Sequence, residues 1–395
     1  MKPILHKLNP WWEGESALAE TIPRPRYLQR LKASLELRDI VMVTGLRRAG
    51  KTTLLRQLID VMLASVPPAD IFYVSLDAYG LESYSIHEIV EQYRMLHRHP
   101  LDRKIYLFLD EVMAKPDFNR ELKDFYDHEN VKICASASSA SLFRDQKAHL
   151  TGRTRTIEVL PLDFDEFLRF RGVQISAKDD HLRESYFMEY LETGGLPEYV
   201  LTGDIVYLTE LIDSILHKDI IAFHGLKDVT LVRDFFRLLM ERVGKQFTAN
   251  RVANILGISV DTVRRYMAYF LETYLIYTIE RCGKLNQRLR SPQKVYAGDV
   301  GIRNLASGFR DKGAVFENLV YLKIKHRDPC YVLQNGNEID FLFDDVLMEI
   351  KLNQPLSGKQ RALFETHPAR EKSFISSPRD FLELDIQNLE ADLFG

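Results

Sequence analysis

Short apolar runs alternate with helix-spaced stretches over roughly the first 170 residues. Five runs read as strands: Ile40–Thr44, Ile71–Leu76, Ile105–Asp110, Val131–Ser136 and Arg155–Leu160. Strands separated by helical segments predict a parallel α/β sheet. From about 176 to 245 the spacing is helical, with Tyr207–His217 and Leu231–Val243 as examples. Residues 246 to about 285 read as a small helical module that turns at Gly257. After Gly301 the pattern returns to mixed helix and strand. No internal repeat or low-complexity tract interrupts the chain.

The first strand runs into Gly45-Leu46-Arg47-Arg48-Ala49-Gly50-Lys51-Thr52-Thr53, and a helical run follows. Strand, glycine loop, Lys-Thr and helix in that order predict a phosphate-binding loop. Gly45 and Gly50 let backbone N–H groups converge on an anion, and the helix N-terminus adds partial positive charge. Lys51 reaches the β- and γ-phosphates in such a site, Thr52 offers a hydroxyl to Mg²⁺, and Thr53 completes the loop.

Ile105–Leu109 is apolar and ends in Asp110-Glu111. A buried strand carries such a pair to the carboxyl edge of the sheet, where phosphates bind. Asp110 is expected to hold Mg²⁺ and Glu111 to orient and deprotonate water. The strand candidate Ile71–Leu76, between the two motifs in sequence, is compatible with an extra strand between them in the sheet. Ser136 and Ser138 either sense the γ-phosphate or position water, or else cap the next helix. Arg153, with Arg155 and Arg144 as competitors, is the candidate for stabilising phosphoryl charge in its own or a neighbouring subunit. Pro197, in Gly194-Gly195-Leu196-Pro197, belongs to a stiff turn that either abuts adenine or only breaks a helix.

At 395 residues the chain has room for two to four domains. It has no apolar run of membrane-spanning length, and Trp11-Trp12-Glu13 stands where a signal peptide needs an apolar stretch. Cys134, Cys282 and Cys330 are scattered, so the expectation is a reducing cytoplasm with neither a disulfide framework nor a zinc site. His97 and His99 read as a solvated loop, and Trp11 and Trp12 as packing. The net charge of −3 leaves nucleic-acid binding to a local patch.

Taken in order, these motifs resemble the bacterial and archaeal AAA-type ATPases that carry a C-terminal restriction-endonuclease-like domain. The matching residues are Gly45–Thr53, Leu109–Glu111, Ser136–Ser139, Leu150–Arg153 leading to Leu160–Leu162, and Gly194–Pro197. Further matches are Tyr296–Gly301, Val315–Asn318, Asn337–Phe341 and Glu349–Lys351. The family often has Thr-Gly-Ser where this chain has Ser136-Ala137-Ser138, which keeps the hydroxyls. The resemblance implies an α/β fold with a P-loop AAA-like ATPase core (residues 1–175) and a helical lid (176–245). A winged-helix module (246–300) and a restriction-endonuclease-like α/β domain (301–395) follow. It also implies ATP, Mg²⁺ and a homo-oligomer, with a hexameric ring as one form.

In the helical module, Ser259 reads as an N-cap, and Val263, Met267, Phe270 and Leu271 share a face. Arg265, Tyr269 and Glu272 project away from it, with Arg264 on the flank. Arg264, Arg265 and Tyr269 are the candidate DNA contacts, with protein packing as the alternative. Between 241 and 295 ten basic residues, Lys294 among them, face four acidic ones. That local excess suits phosphate contacts. Near the C-terminus, Asp340 and Glu349 on adjacent strands can share a divalent Mg²⁺ or Mn²⁺. Lys351 lies on Glu349's strand face, and Glu317 completes the site from a helix. The fold implied there either cuts DNA or only grips it. The leading expectation is an ATP-driven motor on duplex or branched DNA, cytoplasmic and not membrane-bound. The alternative is a nucleotide-dependent switch for a protein partner.

Overall fold

The structure is a computed structural model that describes residues 1–16, 21–138 and 150–384. Ser139 and Arg144 therefore lie outside the described residues. The chain divides into two compact units, Met1–Leu160 and Pro161–Gly395.

The first unit is built on a parallel sheet of β1 (Ile40–Thr44), β2 (Ile71–Ser75), β3 (Ile105–Asp110), β4 (Val131–Ser136) and β5 (Thr154–Glu158). Their order is β2-β3-β4-β1-β5, with parallel registers throughout. β1 to β4 are almost wholly buried because helices cover the sheet, among them Lys51–Met62, Ile86–His97 and Phe118–His128, whereas the edge strand β5 buries only Ile157. β4 is the strand inserted between β1 and β3, while β2 lies at the edge. This corrects the expectation drawn from Ile71–Leu76: sequence order does not determine sheet order.

The edge strand is closed by the N-terminal segment. Asn9 donates to Tyr73 O at 2.8 Å and accepts from Tyr73 N at 2.7 Å. The indole N–H groups of Trp11 and Trp12 both donate to Ile71 O. An unpaired strand edge is thereby covered. Trp12 also packs against Phe72, Tyr93 and His97. His97 and His99 are not a solvated loop: His99 is largely buried and bonds Ala69 O at 2.9 Å.

The second unit carries helices and two sheets. β6 (Gln246–Phe247), β7 (Ile276–Ile279) and β8 (Gln293–Ala297) form an antiparallel sheet in the order β6-β8-β7. β9 (Cys330–Gln334), β10 (Asn337–Phe343), β11 (Val346–Ile350) and β12 (Glu371–Ile375) form a second sheet in the order β12-β11-β10-β9. Only the β11–β12 pair is parallel. One hydrophobic core runs through this unit from Phe167 and Phe187 to Tyr296, Phe316 and Phe341. Ile279 of β7, Tyr296 of β8 and Val300 join the helical and C-terminal segments in this core.

Cys282 and Cys330 form a disulfide, which corrects the reading of unpaired cysteines. The segment after β7 runs beside β9, with Tyr331 N donating to Glu280 O and Cys282 N to Tyr331 O. That adjacency is tertiary, so the 48-residue separation concealed it. Among the described residues, no helix is long and apolar enough to cross a membrane.

Candidate nucleotide site and acid–lysine cluster

Gly45 has φ +129°, and a Cβ there would lie 2.2 Å from Val159 O. Gly50, at φ +99°, turns the chain into the helix Lys51–Met62, whose first N–H groups have no partner within the helix. Both positions need glycine, one for space and both for backbone sign. Arg24 holds the loop from behind by donating to Ala49 O at 3.0 Å and Leu160 O at 3.1 Å. Lys51 is buried, and its ammonium donates to Gly45 O at 2.9 Å and Leu46 O at 3.1 Å.

The carboxyl end of β3 delivers the acids. Thr52 Oγ1 donates to Asp110 Oδ2 at 2.7 Å, and the Tyr73 hydroxyl donates to the same oxygen at 2.8 Å. The Ser136 hydroxyl donates to Asp110 Oδ1 and accepts from Glu111 N at 3.0 Å. Ser138 donates to Glu111 Oε1 at 2.7 Å. Glu111 has φ +52°, a left-handed conformation uncommon outside glycine. Burial pushes its carboxyl above the usual range, against the pull of Lys51 and the Ser138 hydrogen bond. These residues fit a nucleotide with Mg²⁺: N–H donors and Lys51 suit phosphate oxygens, and Thr52 with Asp110 are hard oxygen ligands.

In the second unit, Thr248 and Ser259 cap the helices Ala249–Leu256 and Val260–Glu272, and Gly257 makes the left-handed turn between them. Val263, Tyr266, Met267 and Phe270 are buried, while Arg264 and Arg265 are exposed. Tyr269 does not join them. Its ring stacks on His224 at 3.5 Å, and Glu272 pairs with the same histidine. The single exposed face expected for Arg265, Tyr269 and Glu272 is thus reduced to the arginines.

Lys294 is corrected more sharply, because it is fully buried and contributes nothing to an exposed basic patch. Its Nζ lies 2.7 Å from Glu317, 2.8 Å from Glu338 and 3.0 Å from Asp340. Asp340 N donates to Glu349 Oε2 at 3.1 Å, and Ile350 N donates to Asp340 Oδ2 at 3.0 Å. Lys351 pairs with Glu349 at 2.6 Å, and Gln360 donates to Glu349. A register shift between Ile339 and Leu342 interrupts the β9–β10 ladder around Asp340. Burial and the neighbouring Asp340 push both Glu317 and Glu349 upward, to about 7 and about 8. Burial pulls the Lys294 ammonium down, but Asp340, Glu317, Tyr296 and Glu338 together hold it well above its ordinary value. Asp340, Glu349, Glu317 and Lys351 therefore converge, yet a lysine stands among them. Among the described residues, no group of three or more acids, histidines or cysteines is set to hold a metal. The expected second Mg²⁺ or Mn²⁺ does not fit this arrangement.

Residues 37–168 match the family model of an AAA domain. The chain carries an AAA-type ATPase domain. Residues 184–313 match the model of a domain of unknown function (DUF8612). An uncharacterized protein of Methanocaldococcus jannaschii is 26% identical over 372 residues, covering 89% of this chain and 81% of that protein. An uncharacterized Haemophilus influenzae protein is 26% identical over 340 residues, covering 81% and 83%. Among solved structures, the Walker-type ATPase of Pyrococcus abyssi aligns with TM-score 0.46 and 14% identity, over 72% of this chain and 96% of that one. The Aeropyrum pernix ORC1 protein in complex with DNA aligns with TM-score 0.35 and 13% identity, over 80% and 97%.

The AAA domain does not bring Arg153 to its own phosphate loop. Arg153 O accepts from Ile40 N at the start of β1, whereas the loop leaves the other end of that strand. The gap is one strand length, roughly 16 Å at about 3.3 Å per residue. Arg153 pairs with Asp127 at 2.9 Å, and Arg155 faces Asp39 at the same edge. Pro197 is the first residue of the helix Pro197–Thr202 in the second unit. Its turn has a local structural reason: Gly195 N donates to buried Asp299 at 2.8 Å, and Leu162 N donates to Gly195 O at 2.7 Å.

Four partners escaped the sequence reading: Arg24, Tyr73, Glu338 and Lys294. Lys294 had one local signal. It shares a strand face with Tyr296 inside an apolar run, which is an unusual place for a solvated lysine.

Proposed function

We propose that the protein is an ATP hydrolase of the AAA class that acts on DNA through the helix-turn-helix region of its second unit. The observation that carries the hydrolase is the unbroken chain Thr52–Asp110–Ser136–Glu111–Ser138 beside Lys51. Lys51 and the loop N–H groups hold the phosphates, and Thr52 with Asp110 hold Mg²⁺. When bound, Mg²⁺ neutralises phosphate charge. Glu111, oriented by Ser138 and kept basic enough to accept a proton, takes it from the attacking water. Ser136 fixes the Glu111 backbone relative to Asp110.

DNA as the target is supported by exposed Arg251, Arg264, Arg265, Lys284 and Arg290. They lie on the helix pair and on the segment joining β7 to β8, an arrangement read as a winged helix. The helix Lys312–Ile324 and the sheet β9–β12 are read as a restriction-endonuclease-like scaffold that grips DNA without cutting it. Arg153 is remote from its own loop, whose own arginines are Arg47 and Arg48, so a role for Arg153 at the phosphates requires a neighbouring subunit. That supports a homo-oligomer, of which a hexameric ring is one form, with Arg153 acting in trans. The test is ATP turnover with duplex, single-stranded and branched DNA, where stimulation that weakens steeply with salt is expected.

A second reading is a nucleotide-dependent switch for a protein partner. It is favoured by Tyr269, which is engaged by His224. It predicts slow turnover indifferent to DNA.

A further inference from the structure

We propose that Lys294 is the built-in cation of the C-terminal acid cluster: its ammonium takes the place of a divalent metal, and removing it opens a site for one. The acids come from two elements, Glu317 from the helix Lys312–Ile324 and Glu338 and Asp340 from β10. The lysine comes from a third, β8, so the ion cluster ties the helix-turn-helix sheet to the C-terminal sheet. Nζ has three protons and three carboxylate partners, which satisfies the ammonium.

The acids are also committed elsewhere. Glu317 accepts from the Tyr296 hydroxyl at 2.7 Å, and Glu338 accepts from Gln246 at 2.7 Å. Asp340 accepts from Ile350 N, while Glu349 accepts from Asp340 N and Gln360 and pairs with Lys351. A divalent ion entering here would displace these donors and meet Lys294 at short range with like charge. With Lys294 gone, Glu317, Glu338 and Asp340 lose their shared cation and remain as hard oxygen donors beside Glu349, which keeps Lys351. Such a set is strongly destabilising unless a cation replaces the ammonium.

The experiment uses the full chain without nucleotide and Mn²⁺ as the probe, read by electron paramagnetic resonance and thermal melting. Only the signal lost on adding Asp340→Asn is counted, which separates this cluster from Thr52 and Asp110. Wild type is expected to show no such Mn²⁺ and no Asp340-dependent rise in melting temperature from EDTA to Mn²⁺. Lys294→Met is expected to melt lower in EDTA, recover in Mn²⁺ and bind one Asp340-dependent ion per chain. Lys294→Met/Glu338→Gln, which removes one charge of each sign, is the variant for poor folding of the single change. Asp340-dependent Mn²⁺ in wild type overturns the proposal. So does a folded Lys294→Met that takes up none, or failure of both variants to fold even in millimolar Mn²⁺.

Discussion

Asp110 accepts hydroxyls from Thr52, Tyr73 and Ser136, so its two oxygens are aimed before any ligand arrives. Tyr73 is the least expected of the three, because it comes from the edge strand β2. Tyr73→Phe should weaken Mg²⁺-ATP binding by roughly tenfold or more, the effect of one hydrogen bond to a carboxylate, with a smaller change in kcat. An unchanged KM would show that the tyrosine only fills space. Glu111→Gln should lower kcat by roughly 10²–10⁴-fold with nucleotide binding retained. A Glu111 raised by burial must also lose its role as base at higher pH than an ordinary glutamate. As pH falls through that raised pKa the carboxylate is protonated, so kcat should decline on the acid side, and a pH–rate profile checks this. Lys51, Thr52, Asp110 and Glu111 were legible because each belongs to a contiguous strand–loop–helix or strand-end pattern. Tyr73 and Arg24 were not, because their partners are set by tertiary neighbours.

At the scale of elements, strand polarity carries the lesson of Arg153. A residue just before a parallel strand lies at the amino edge of the sheet, opposite the loops that hold phosphate. The five strand positions and the turn at Gly257 were readable from apolar runs and turn residues. The place of β4 between β1 and β3 and the disulfide were not, since both depend on pairing across distant segments. Asp299 shows what such pairing does to energetics. Its carboxylate accepts from Gly195 N and Ile302 N, yet burial raises it to about 6 from an ordinary 3.8. The folded state therefore keeps the proton to higher pH than the unfolded chain. Stability from this group is full below about 4 and declines as pH rises to about 6, by roughly 3 kcal/mol at 1.36 kcal/mol per unit. Asp299→Asn should flatten that decline in denaturant titrations between those pH values. It should also cost about 1–3 kcal/mol, because an amide offers one acceptor oxygen where the N–H groups of Gly195 and Ile302 point at different oxygens. An unaltered pH slope would assign the decline to other groups.

For the whole molecule, the proposed function assigns the chemistry to the AAA domain and the contact with DNA to the second unit. Composition pointed to a basic patch between 241 and 295, and the structure divides that patch. Lys294 is interior, Tyr269 is stacked, and Arg264 and Arg265 remain exposed. Arg264→Ala/Arg265→Ala should therefore weaken DNA stimulation of ATP turnover several-fold and lessen its salt dependence. A variant stimulated as strongly as wild type would move the contact elsewhere. DNA-dependent hydrolysis is decided by steady-state ATP turnover of the wild-type chain with and without duplex, single-stranded and branched DNA, with Lys51→Ala as the blank. Turnover should be absent from Lys51→Ala and raised several-fold in wild type by at least one DNA form at low salt. Wild-type turnover that no DNA form alters would rule out a DNA-driven hydrolase.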